Sequence, residues 1–472
     1  MSPQMGEMLE TQSTRRTDAE EAETADLDAG EGAEDSALEA KAELLDAGIV
    51  VTLEKPVHGG AVLARHPDGR ALFVRGGIPG EKVIVKVTAD HKRHAWADVV
   101  EVVRPSEHRI EHVWPEAEVA GVGGVELGHV SPVYQREWKT QVLADTLQRI
   151  GGEDVWTQIE ALPEPLTVRG TPRDEKATED EDERLLNRRV RIQLNADAQK
   201  RLGMKKFRSS EVVPTEEIPV AAEAIGKMGA LTGKRWRKLW NPGQRVSIEA
   251  PDVGPAVVVT KRGVFQKPGE KGPRRSAWRV PYGGKTYKFE TTAGSFWQTH
   301  REAPEVLVGS VMRGAEPQAG EHIAELYSGA GLFTRFLGDA VAPSGKVVSL
   351  EGSGRAVADA AENLADLITS GVVEVFEGAV TAENVQDLFS ELGGEVNTVV
   401  LDPPRSGAGG TVVAEICSSD ASKVVLVSCD AAAGSRDLAD FVAGGFTVRA
   451  FDAWDLFPHT HHMEFVATLT RG

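Results

Sequence analysis

The sequence predicts a multidomain chain: a small OB-like β-barrel, a central α+β domain, and a C-terminal α/β domain with a doubly wound sheet. Three observations predict it. The 472 residues are more than one hydrophobic core serves. Short β-rich runs broken by glycines fill residues 49–103. From about residue 304, apolar runs alternate with helical stretches at the spacing of βαβ units.

The first element is a tail, residues 1–44. Between residues 1 and 45, thirteen Asp and Glu face three Lys and Arg, with no aromatic residue. Such a segment has too little apolar surface to offset its ordering entropy, so disorder is expected. The net charge of −19 argues against a nucleic-acid partner, but about half of it sits in this tail.

The barrel is assigned to residues 45–104. Strands are expected at 49–53, 71–74, 82–87 and 95–103, with turns at His58-Gly59-Gly60, Asp68-Gly69, Gly76-Gly77 and Pro79-Gly80. A barrel of this kind is a common nucleic-acid platform.

The central domain is assigned to residues 105–303. It carries a helix near 134–150 and strands near 189–194, 244–250 and 256–260. An acidic stretch, 174–183, is expected as a surface loop. Basic stretches follow: Arg184, Arg188, Arg189, Arg191, Lys200, Arg201, Lys205, Lys206 and Arg208, then Lys227 to Lys238 with Trp236 and Trp240. A third group runs from Lys261 to Arg279. Cations interleaved with aromatics suit phosphate contact and base stacking. The alternative is an ordinary charged surface.

The C-terminal domain is assigned to residues 304–472, with strands at 323–326, 346–350, 372–376, 398–401, 423–427, 446–451 and 463–469. Two cysteines exclude a disulfide scaffold and a four-cysteine metal site. No apolar run of about eighteen residues is present, so no membrane span is expected. The acidic N-terminus has no signal-peptide pattern, so a cytoplasmic location is expected.

Chemistry-bearing residues gather at strand ends. Gly329-Ala330-Gly331 sits between a strand and a helix, where glycines admit a ligand close to the backbone. Thr334 occupies the place of a third fingerprint glycine, and Glu351 ends the next strand, placed to accept ribose hydroxyls. This pair fits S-adenosylmethionine better than a dinucleotide. Asp402-Pro403-Pro404-Arg405 follows another strand, in the crevice where open α/β sheets bind ligands. Cys429, in Ser428-Cys429-Asp430, ends the next and is a candidate nucleophile. Cys417, in a helix-like stretch, is expected to be inert. In Phe457-Pro-His-Thr-His-His-Met-Glu464 the histidines suggest a metal. His461 and His462 point apart if extended, so Glu464 is preferred as a proton acceptor.

Together these motifs resemble the uracil-C5 RNA methyltransferases, the family that makes 5-methyluridine in 23S rRNA and tRNA. The resemblance spans residues 45–472. His58-Gly-Gly, Phe73-Val74 and Pro79-Gly-Glu81 resemble a TRAM domain, an RNA-binding barrel. Phe296-Trp-Gln-Thr-His300 is similar to the family's Phe-x-Gln-x-Asn, with His300 for Asn. Glu325-Leu-Tyr-Ser-Gly-Ala-Gly331, Asp402-Pro-Pro-Arg, Val427-Ser-Cys429 and the Phe457 to Glu464 ending match the cofactor and catalytic elements.

The resemblance implies that Gln298, Tyr327, Gly329, Gly331, Leu332, Glu351 and Asp402 bind S-adenosylmethionine and uracil. It makes Cys429 the nucleophile and Glu464 the base. Leu332 departs from the Asn of tRNA-type relatives, and Ala431 from the usual proline. Some relatives hold a [4Fe–4S] cluster on Cys-Gly-Gly-Cys; here the stretch reads Val122-Gly-Gly-Val125, with Ile218 at another ligand position. No cluster and no other metal is expected. A TRAM domain is typical of the rRNA-modifying members, so 23S rRNA is favoured over tRNA, with a monomer as the expected state. Two other readings stand beside this. An amino-group methyltransferase shares Asp-Pro-Pro but usually has an aromatic residue where Arg405 stands. A non-catalytic RNA-binding or ribosome-assembly factor has no use for Cys429 and Glu464.

Overall fold

The computed structural model describes residues 48–179, 184–207, 209–393 and 395–472. The tail 1–44, the end of the acidic stretch (180–183) and Arg208 lie outside the described residues.

The N-terminal strands are β1 (Ile49–Thr52), β2 (Lys55–Val57), β3 (Ala61–Arg65), β4 (Ala71–Arg75), β5 (Lys82–Asp90) and β6 (His94–Arg104). They form one curled sheet in the order β1-β5-β6-β4-β3-β2. Alternation drives it: in β4, Leu72 and Val74 face inward and Phe73 and Arg75 outward. Glu81 is fully buried and fully satisfied. It accepts Arg109 Nε at 2.6 Å, Ile78 N–H at 2.8 Å and Ser106 N–H at 3.1 Å. Among the described residues, 48–57 and 61–109 make one compact unit; His58–Gly60 and the chain from Ile110 make the other.

The second unit opens with helices Pro115–Ala120 and Pro132–Thr146. The latter continues as a π-helical turn, Leu147–Gly151, before helix Glu153–Glu160. Strand β7 (Val168–Arg169) and helix Pro172–Glu179 follow. An antiparallel sheet then builds from β8 (Arg191–Ala196), β9 (Leu202–Lys205), β10 (Val212–Pro214), β11 (Arg245–Glu249), β12 (Val257–Thr260), β13 (Gly263–Lys267) and β14 (Glu270–Lys271). Its order is β10-β9-β8-β11-β12-β13-β14. A hairpin of β15 (Arg275–Tyr282) and β16 (Lys285–Thr292) leads on to the C-terminal sheet.

That sheet contains β17 (His322–Leu326), β18 (Lys346–Glu351), β19 (Val373–Glu377), β20 (Thr398–Leu401), β21 (Lys423–Ser428), β22 (Thr447–Trp454) and β23 (Glu464–Thr470). The order is β19-β18-β17-β20-β21-β23-β22-β7. β17 to β21 pair in parallel, and β23 runs antiparallel to both β21 and β22. The central parallel strands are mostly apolar, as double-sided burial favours: Thr398-Val-Val-Leu401 is buried at every position. The strand order reverses between β17 and β20, and the crevice at that switch point is where such sheets bind ligands. The two-residue β7 pairs with β22, so the central stretch is built into the C-terminal sheet.

Three sequence expectations are corrected here. Residues Pro172–Glu179 are a helix rather than a loop, and Asp174 is buried, gripping Arg188 Nε at 2.5 Å and His300 Nε2 at 3.0 Å. Arg188, Arg189 and Arg191 are not a phosphate-facing cluster: their guanidinium groups turn inward to Asp174, to the Gly124 and Pro458 carbonyls, and to Glu249. Trp236 and Trp240 are buried in the core, and Trp240 Nε1 donates to Lys200 O at 2.9 Å. Both lie with their rings packed inward, closed to base stacking.

Candidate active site

The C-terminal edge of the parallel strands collects the reactive groups because each chain turns there. Tyr327 follows β17, Glu351 ends β18, Asp402 follows β20 and Cys429 follows β21. β23 enters the same edge from the opposite direction with Glu464 as its first residue. Its register with β21 pairs Ser428 with Phe465, so Cys429 and Glu464 flank the last pair of the ladder.

These groups line a cavity of about 970 Å³ together with Gln298, Gly329 and Leu332. Gly331 lies just behind it as the N-cap of helix Leu332–Val341, at φ +83°. A Cβ there would stand 2.8 Å from Leu364 Cδ1, so glycine is required by both conformation and space. A Cβ at Gly329 would meet nothing within 4 Å, which leaves the turn open to the cavity. Glu351 is fixed by the Gly329 and Ser353 N–H groups, at 2.9 and 2.7 Å. Its remaining lone pairs stay available to hydroxyl donors. Gln298 rides on a segment pinned by Arg191 to Trp297 O at 2.7 Å and by Val190 N–H to Thr299 O at 2.9 Å. His300, in place of the family's Asn, closes that segment against Asp174. Tyr327 adopts φ +62°, uncommon for a residue with a side chain, as the chain turns out of β17.

Carboxylates dominate the electrostatics. Burial, with Asp402 adding, pushes the Glu464 carboxyl up to about 8 against the pull of Arg405. Burial alone takes Asp402 to about 7. Beneath the glycine turn, burial first and then Asp402 and Glu351 raise Glu325 to about 8, with Thr334 opposing. One oxygen of Glu325 and one of Glu464 have no hydrogen-bond partner. Cys429 stands near the N-terminus of helix Ala431–Ala443, which favours a thiolate. Burial and the neighbouring Glu464 and Asp402 win, and the thiol is pushed to about 12.

Glu325 was not singled out by sequence reasoning, although it opens the Glu325-to-Gly331 motif. Phe296, exposed at 68% on the cavity rim, was quoted only as part of a motif. The expected separation of His461 and His462 is corrected: the chain turns there, and their rings lie 4.1 Å apart. Among the described residues no group of His, Cys, Asp and Glu has metal-binding geometry, and no helix is long and apolar enough to cross a membrane. Val122, Val125 and Ile218 are buried in the hydrophobic core.

A site crowded with under-compensated carboxylates fits a ligand that brings positive charge. S-adenosylmethionine carries a sulfonium and an ammonium group. The doubly wound sheet and this site define an S-adenosylmethionine-dependent methyltransferase. Residues 277–472 match the family model described as tRNA (uracil-5-)-methyltransferase, and residues 49–100 match the TRAM domain. An uncharacterized RNA methyltransferase of Streptomyces avermitilis is 34% identical over 87% of this chain and 95% of its own length. The 23S rRNA (uracil(1939)-C(5))-methyltransferase of Chromohalobacter salexigens is 27% identical over 89% of each chain. The crystal structure of Pyrococcus abyssi tRNA (uracil-54, C5)-methyltransferase with S-adenosyl-L-homocysteine shares the fold. Its TM-score is 0.59 at 22% identity, over 89% of this chain and 99% of that one. The chain belongs to the tRNA (uracil-5-)-methyltransferase family, in the form that carries an N-terminal TRAM domain. It is an S-adenosylmethionine-dependent RNA uracil-C5 methyltransferase.

Proposed function

We propose that the protein methylates C5 of a uridine in 23S rRNA, with Cys429 as nucleophile and Glu464 as base. The observation that carries the residue roles is that Cys429, just past the end of β21, and Glu464, the first residue of β23, line one cavity with Asp402 and Glu351. Uracil C5 is too weak a nucleophile to take a methyl group unaided. The Cys429 sulfur bonds to C6, and the C5–C6 π pair moves onto C5 and O4 as an enolate. S-adenosylmethionine supplies the methyl group to C5. Glu464 then removes the C5 proton, the C5–C6 double bond reforms, and the C6–S bond breaks to return the thiolate. Asp402 holds the uracil by a hydrogen bond, while Gln298, Tyr327, Gly329, Gly331, Leu332 and Glu351 hold the methyl donor. The reacting base must leave its stack to reach this crevice, which favours a single-stranded or flipped nucleotide.

The rRNA preference rests on the TRAM domain and on the Chromohalobacter salexigens relative. A tRNA substrate is the second reading, favoured by the family description. Mapping 5-methyluridine in RNA from a deletion strain separates them. A site lost from 23S rRNA is the expected result; loss confined to tRNA would select the second reading.

A further inference from the structure

Helix Pro132–Thr146 presents Gln135 and Lys139, one turn apart, to the segment that leads into Glu464. Both side chains are fully buried. Gln135 Oε1 accepts the His459 N–H at 2.7 Å, and its amide nitrogen donates to Val130 O at 2.8 Å. Lys139 Nζ donates to Asp455 Oδ1 at 2.5 Å and to Phe457 O at 3.1 Å. Asp455 Oδ1 also accepts the Phe457 N–H at 3.2 Å. From other sides, Leu127 N–H donates to His459 O at 2.9 Å, and the half-buried Arg189 donates to Pro458 O at 3.3 Å.

His459 itself sits at φ +69° with its ring buried. A residue with a side chain persists there only when its surroundings over-determine it. The bonds from Gln135 and Lys139 supply that determination. A buried Lys–Asp pair is weak evidence for stability, since desolvation offsets much of the attraction. Its geometric effect is plain: it fixes Phe457, at both backbone atoms, against a helix outside the sheet. The segment runs from β22 to Glu464, which pairs with Trp454 at the start of β23 and whose carboxyl has one oxygen without a hydrogen-bond partner.

We infer that Gln135 and Lys139 are positioning residues that aim Glu464 at the C5 proton. The inference rests on the reading of Glu464 as the base. It predicts a defect in one step: with the loop loosened, attack by Cys429 and methyl transfer proceed, but elimination stalls and the covalent adduct persists.

The test uses the full-length protein, S-adenosylmethionine with a labelled methyl group, and total RNA from a strain that lacks 5-methyluridine. Two variants are compared with Glu464→Gln. Gln135→Met removes the His459 bonds with little change in volume. Lys139→Met with Asp455→Leu removes both charges together, which leaves no unpaired ion and is often neutral for folding. Both variants are expected to stay folded and to keep S-adenosylmethionine affinity, with a lower melting temperature for Gln135→Met, which leaves buried backbone groups without partners. Turnover is expected to fall by about tenfold to a hundredfold, the scale of a misplaced catalytic group. A gel-stable protein–RNA adduct should accumulate as it does in Glu464→Gln. Parental turnover, or loss of turnover without adduct in a folded variant, overturns the inference while Glu464→Gln still traps adduct. If Glu464→Gln itself traps nothing, the assignment of the base falls, and the inference with it.

Discussion

Cys429 and Glu464 should fail in different ways when replaced. Cys429→Ala leaves nothing to bond C6, so 5-methyluridine and adduct should both be absent. Glu464→Gln leaves attack and methyl transfer intact, so a denaturing gel should show the enzyme bonded to methylated RNA. Adduct from Cys429→Ala would remove Cys429 as the nucleophile, and normal turnover by Glu464→Gln would remove Glu464 as the base. Their proton affinities set the pH profile. Glu464 titrates near 8 and the Cys429 thiol near 12, both raised first by burial. Each must lose its proton before it acts, so single-turnover rates should climb from about pH 6 and go on rising beyond about pH 9. A flat profile would mean that a different group limits the step. Most of these residues were legible in the sequence because strand ends and short motifs mark them. Arg188, Arg189 and Arg191 were misread because a run of cations does not say which way its side chains turn.

The elements make their own predictions. Gly331 caps a helix in a left-handed conformation against Leu364, so Gly331→Ala should cost at least about 1 kcal/mol in strain. It should also weaken S-adenosylmethionine binding, as titration calorimetry would show; unchanged affinity would mean the turn tolerates a shift. Glu325, at the end of β17, gives a pH dependence of stability. Its folded value near 8 exceeds its ordinary 4.5, so across that interval the native state keeps a proton that the unfolded state has lost. Its stabilising contribution is therefore fully present below about 4.5 and is lost as pH rises through 8. Glu325→Gln is neutral throughout. Relative to that variant, the cofactor-free parent should lose ground from pH 5 to pH 8 in denaturant midpoints. No change in the difference would mean that Glu325 is ionised in the folded protein. Apart from β7, the strands of this sheet were readable from apolar runs of four to seven residues. The helix over Pro172–Glu179 was not, because its buried Asp174 looks like any other acid in a charged stretch.

For the molecule as a whole, Val122, Val125 and Ile218 fill apolar core at positions where the resemblance implies cluster ligands in some members. Protein purified without oxygen should contain no stoichiometric iron or sulfide, and finding both would overturn that expectation. The domain order was legible because each stretch has its own periodicity. The joining of residues 110–180 to the C-terminal sheet was not, since β7 is two residues long and its partner lies far along the chain.

That distance has a kinetic consequence. The Gln135–His459 and Lys139–Asp455 contacts join residues 324 and 316 positions apart, whereas Tyr327, Glu351 and Asp402 lie within one run of βαβ units. Closing long loops comes late in folding, after nearer pairings have formed. During refolding from denaturant, the ability to bind S-adenosylmethionine should therefore return before the ability to release methylated RNA. Between the two there should be a species that takes up its methyl donor and, offered substrate, becomes trapped on it.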